Sequence, residues 1–142
     1  MTANPNPELP YDWSRLPKLN PTVKKRWLDA LRSGEYHQGA GRLRTAPSSL
    51  GGGDRFCCLG VLCDVVKDDL GLSWEAITSH PSTIYWMAEG VAYPPDDVWR
   101  YVTDTVDVEQ LPLPDGAGEP LAAANDSGWT FDRLAAVIEK WM

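Results

Sequence analysis

The sequence predicts an α+β fold: one compact domain with three to four helices packed on a small antiparallel sheet. Two segments with helical apolar spacing and strong capping residues mark its ends, and a β-type run at Thr83–Met87 lies between them. At 142 residues, with 43% hydrophobic and 23% charged residues, the chain has the length and composition of a single core.

The elements follow in order. Residues 1–19 carry Pro5, Pro7, Pro10 and Pro17 and read as an extended arm before a domain over residues 20–142; Tyr11, Trp13 and Leu16 are its candidate anchors. Asn20-Pro21 starts the first helix, with Asn as cap and Pro at the first helical position, where a missing N–H is no loss. Val23, Trp27, Leu28 and Leu31 then share a face, and Gly34 supplies the stop. Residues 33–55 hold six of the twelve glycines and read as loop, with one short strand at Arg42–Arg44. Asp54 is placed to cap a second helix on which Cys57, Val61, Leu62 and Val65 line up before Gly71. Thr83–Met87 reads as a strand turning back onto Gly90–Tyr93. Pro94-Pro95-Asp96-Asp97 opens a short helix bearing Val98, Trp99 and Val102. Residues 103–120 read as an acidic surface loop with a strand near Val106–Val108, and Asn125–Gly128 as a tight turn. Thr130 caps the last helix, where Phe131, Leu134, Ile138 and Trp141 repeat at helical spacing.

Charge is divided along the chain. The net charge is −7, which argues against general DNA binding, yet residues 15–55 hold nine Lys/Arg against three Asp/Glu. Residues 56–142 hold four against fifteen. No window resembles a membrane span, and the Pro-rich acidic start lacks the pattern of a signal peptide. Three cysteines clustered at 57, 58 and 63 make a poor disulfide framework and fit a reducing cytosol. The seven Trp suit a core built on indoles, a stacking groove, or a homodimer interface.

Four phrases, KKRWLDALRSGEYHQGAGRLR, FCCLGVLCDV, YPPDDVWRY and LAAANDSGWTFDRLAAVIEKW, resemble a family of small accessory proteins encoded by bacteriophages and prophages. The likeness covers most of residues 20–142; the Pro-rich arm and Gly51–Gly53 depart from it. It implies a host-takeover or counter-defence role and no particular activity.

The candidate ligand site is the loop that follows the first helix. Gly39 and Gly41 permit close backbone approach, and Arg42 and Arg44 offer planar forks suited to phosphate. Arg55 adds a donor where the second helix begins, Tyr36 is a candidate for base stacking, and His37 lies within phosphate reach. The motif is not a Walker loop, since no Gly-Lys-Ser/Thr follows the glycines. The expected partner is an anionic small molecule such as a cyclic nucleotide or an ADP-ribose derivative. The alternative is a host protein covered by the carboxylates Asp96, Asp97, Asp104, Asp107, Glu109, Asp115 and Glu119. Cys57, Cys58 and Cys63 read as core residues; a Cys-dependent hydrolase, or a zinc set with His37 or His80, is the competing chemistry. FCCLGV is similar to the Cys-bearing helix of the NlpC/P60 peptidases, but the partner His pattern is missing. The expectation is therefore a binding protein with no enzymatic activity, cofactor or metal.

Overall fold

Helix α1, Pro21–Arg32, forms where its caps dictate: the Asn20 side chain accepts from the amides of Thr22 and Val23, and Pro21 occupies the first turn. Val23, Trp27, Leu28 and Leu31 are its buried face, and Gly34 leaves the helix at φ +78°. The structure, a computed structural model, describes residues 13, 16, 18–45, 54–78, 83–86, 94–103 and 119–142.

The chain then lays down short strands β1 (His37–Gln38), β2 (Arg44–Thr45) and β3 (Arg55–Phe56) before helix α2, Cys58–Leu70. Strands β4 (Glu75–Thr78) and β5 (Thr83–Trp86) complete a sheet of order β1-β3-β2-β5-β4. The sheet is mixed rather than purely antiparallel, because β1 runs parallel to β3 while the other pairs are antiparallel. Both flanks of β5 are taken, by β2 and β4; the expected partner run Gly90–Tyr93 lies outside the described residues. The strand expected at Arg42–Arg44 begins only at Arg44, since Leu43 is fully buried with its carbonyl on α2: it accepts from the Cys57 amide at 3.2 Å.

Helix α2 is capped by Cys57, whose sulfur accepts from Gly60 N, and not by Asp54, which pairs with Arg44 instead. Every residue from Cys58 to Cys63 is buried, as is Val66, so this helix is the centre of the core rather than an amphipathic surface helix. Gly60 makes that possible: a Cβ there would sit 1.8 Å from the Leu43 carbonyl oxygen. Gly71 ends the helix in the left-handed conformation at φ +66°.

Helices α3 (Asp96–Val102), α4 (Glu119–Asp126) and α5 (Phe131–Trp141) close the core from the other side. Five helices are thus present among the described residues, one more than expected, because the end of the supposed acidic loop and the first half of the supposed tight turn form α4. Thr130 caps α5 by accepting from Arg133 N. Trp27 donates to Cys58 O at 3.0 Å, Arg26 reaches Asp69 and Val65 O, and Tyr101 also bonds Asp69, so α1, α2 and α3 are joined by polar contacts as well as packing. The result is a single α+β domain. No helix in the described residues is long and apolar enough to cross a membrane.

Candidate functional site

Strand β1 and the loop after it carry most of the sequence-predicted site. His37 is the register partner of Arg55 across the parallel β1–β3 pair, and both side chains are exposed. Gly39 continues the pairing by donating to Phe56 O at 2.8 Å. A Cβ at Gly39 would meet Arg55 Cβ at 2.9 Å, so glycine lets this loop lie on the strand. Gly41 turns the chain at φ +81° and donates its amide to Asp126 Oδ1 at 2.9 Å. Arg42 is exposed, and its Nη1 donates to Gly41 O at 3.1 Å. Arg55 donates to Gln38 O at 3.4 Å, a long contact.

Tyr36 and Arg44 belong to a different cluster. The Tyr36 ring stands edge-on to Phe56 at 5.0 Å, and Phe56 in turn meets Trp74 at 6.1 Å. The Arg44 guanidinium lies 5.2 Å from the Phe56 centroid and 5.5 Å from that of Trp74, and donates through Nε to Asp54 at 2.8 Å. The Tyr36 hydroxyl donates to Asp64 Oδ2 at 2.6 Å, and Trp74 Nε1 donates to Asp64 Oδ1 at 2.9 Å. Burial and this bond together push the Tyr36 hydroxyl above its ordinary pKa. Burial alone would raise the Asp64 carboxyl, but donation by Tyr36, Trp74 and Lys67 outweighs it and holds Asp64 below its usual value. The seven predicted residues therefore divide. His37, Gly39 and Arg55 meet, with Gly41 and Arg42 on the adjoining turn, whereas Tyr36 and Arg44 are engaged with the Phe56–Trp74 cluster.

The start of α2 does not offer the anion site expected beside Arg55. Its first amide, Cys58 N, donates to the Asn125 side-chain oxygen at 3.2 Å, and the region is fully enclosed. Asn125 is the hub of a network that sequence reasoning missed. Its oxygen also accepts from Gln38 Nε2 at 2.9 Å, and its Nδ2 donates to Gly39 O at 2.7 Å. Gln38 further donates to Trp129 O at 2.6 Å and accepts from Phe131 N at 3.1 Å. Two carboxamides thus use donors and acceptors on both sides to bind β1, α2, α4 and the start of α5 together. The QGAG and NDSG segments of the sequence are bonded to each other, which gives both glycine-rich phrases a role in closing the fold. The only signal in the sequence was a pair of amides beside glycines, and nothing local joins positions 87 apart.

The thiols pack inside the core. All three are free and buried. Burial pushes Cys57 up to about 11 despite donation by the Gly60 and Leu59 amides, and takes Cys58 and Cys63 well above the ordinary thiol range. Among the described residues no group of three His, Cys, Asp or Glu gathers around a point suited to a metal. His80 and the carboxylates Asp104, Asp107, Glu109 and Asp115 lie outside the described residues. Asp97 is exposed and faces Arg100 at 3.7 Å, and Glu119 opens α4. Trp13, Trp27, Trp99 and Trp129 are buried in the core, and Trp74 and Trp141, partly buried, pack against it.

A family model described as a domain of unknown function, DUF8296, matches residues 19–142. No curated protein and no solved structure matches the chain.

Proposed function

The chain belongs to the DUF8296 family, a membership that assigns no activity, and we propose that it is a non-enzymatic binding protein of the phage counter-defence kind. In this reading Arg42, Arg55 and His37 hold the phosphate groups of a nucleotide-derived signal, which the protein sequesters intact in the host cytoplasm.

The reading is carried by the way the described cations of the basic third divide. Lys25, Arg26, Arg32 and Arg44 each face a carboxylate: Asp29, Asp69, Glu139 and Asp54. Lys18 and Lys24 donate to the last carbonyls of α5, at Trp141 and Glu139. Arg42 and Arg55 differ, since among the described residues they meet only the backbone carbonyls beside them. An exposed guanidinium with no carboxylate to give up keeps its fork for phosphate. The raised thiols support binding without covalent chemistry, because the thiolate, not the thiol, is the nucleophile.

The test is a thermal-shift panel of cyclic mononucleotides, cyclic dinucleotides and ADP-ribose derivatives. A ligand at 100 times its Kd stabilises the folded state by about 2.7 kcal/mol, a shift of several degrees in a domain of this size. We expect such a shift with at least one member, and its loss in the Arg42→Ala/Arg55→Ala variant. A flat panel, or a shift that survives both substitutions, would sink the proposal.

A further inference from the structure

Two opposite charges are anchored on one residue of the Gly39–Gly41 turn. Asp126 Oδ1 accepts from the Gly41 amide at 2.9 Å, and Arg42 Nη1 donates to the Gly41 carbonyl at 3.1 Å. Both side chains are exposed. One residue spans about 3.5 Å, so the carboxylate oxygen and the guanidinium nitrogen lie within about 10 Å of each other. The Debye length is about 8 Å at physiological ionic strength and longer at low salt. A phosphate seated on Arg42 therefore sits in the field of Asp126.

The bond to Gly41 needs an oxygen, not a charge. Asn125, next in the chain, does comparable work with a neutral amide: its oxygen accepts from Cys58 N and Gln38, and its Nδ2 donates to Gly39 O. An asparagine at position 126 would keep an oxygen for the Gly41 amide. The charge also sits where the helix opposes it. Asp126 is the last residue of α4, at the negative end of the helix dipole, and α4 carries no basic residue in its last turn. A carboxylate that the fold neither needs nor favours at this place acts on what the turn meets.

The neighbouring charges do not cancel this effect. Besides His37, Arg42 and Arg55, the segment from Tyr36 to Phe56 carries Arg44 and Asp54, which pair with each other, and residues 46–53 carry none. Glu35, exposed, precedes β1, and Asp132 and Arg133 at the start of α5 have opposite signs.

We propose that Asp126 makes the anion surface selective for a singly charged phosphodiester, the charge of a cyclic mononucleotide, over polyphosphates. Arginine forks alone favour whichever ligand carries the most charge. A carboxylate held on the same turn penalises each added negative charge. At 10 Å in water that penalty is about twofold in affinity per ligand charge. The inference rests on the anion surface proposed above and narrows the class of ligand it takes.

The experiment compares ATP with cyclic AMP, which share base and sugar and differ in charge. Both are titrated into the full chain at low salt, and binding is read from the NMR amide shifts of Gly41, Arg42 and Arg55. Asp126→Asn should raise the affinity for ATP by about fivefold or more and that for cyclic AMP by only about twofold. The difference should shrink at high salt. The urea midpoint of the variant should be unchanged or higher, because the amide keeps the bond and removes a negative charge from the end of α4. Equal gains for the two nucleotides, or no gain, overturn charge selection and leave the surface standing. A lowered midpoint, or failure to fold, assigns Asp126 to structure and overturns it as well. Arg42 and Arg55 amides that respond to neither nucleotide overturn the anion surface itself, and the selection with it.

Discussion

At Asp64, three donors converge on one half-buried carboxylate: the Tyr36 hydroxyl, the Trp74 indole and the Lys67 ammonium at 3.4 Å. The folded-state pKa is lowered, so the group stabilises the fold while it is ionised in the unfolded chain as well. That contribution is complete above the ordinary aspartate range and disappears as pH falls through the depressed folded value. Urea titrations of the native chain and of Asp64→Asn should therefore differ most near neutral pH. The difference should shrink below about pH 4, where aspartates ordinarily titrate. A gap that stays constant into acid would mean that the charge is irrelevant and only shape matters. Asp64 was not legible as a hub from the sequence, where it is one acidic residue on an apolar helix. Its partners come from positions 36, 67 and 74, and only Lys67 lies at helical spacing. The same limit hid Gln38 and Asn125. Sequence pattern gives the face on which a side chain lies, not the polar group it meets across the core. It did single out His37, Gly39 and Arg55 as candidates, and the pairing of β1 with β3 brings them together.

Among elements, α1, α3 and α5 were legible because their signals are local: Asn20-Pro21, the Pro94-Pro95 opening, Thr130, and apolar residues at helical spacing. Helix α4 carries such signals too, with Glu119 and Pro120 in its first turn, but the prolines before it made the whole stretch read as loop. Strands of two residues have no period to detect, so β1, β2 and β3 exist only through pairing across the sheet. Helix α2 shows how tightly element fits element. The path of Leu43 across its first turn depends on the missing side chain of Gly60, and backbone atoms cannot step aside as a flexible side chain does. Gly60→Ala should destabilise the domain by about 3 kcal/mol or more, at the upper end of overpacking. Gly60→Ala with an unchanged chemical-denaturation midpoint would show that this contact is looser than described.

For the molecule as a whole, the three thiols report on the integrity of the core. Each is enclosed by helix and sheet, with Cys58 and Cys63 fully buried. Ellman's reagent should find no reactive thiol in the native protein at pH 8. All three should react in denaturant, and slow native labelling should follow the rate of global opening. Fast labelling of even one thiol without denaturant would contradict the packing around α2.

The contacts that complete this core also set the order in which it can be assembled. Gln38 meets Asn125 from 87 positions away, and Lys24 reaches Glu139 across 115. Loops of that length are closed late in folding, after the local helices have begun to form. The first half of helix α2, buried on every side, must wait with its surface uncovered until α1, α3 and α4 arrive. The clasp that gives the native state its precision therefore also defines an interval of aggregation risk, whose length is the time the two halves of the chain take to find each other.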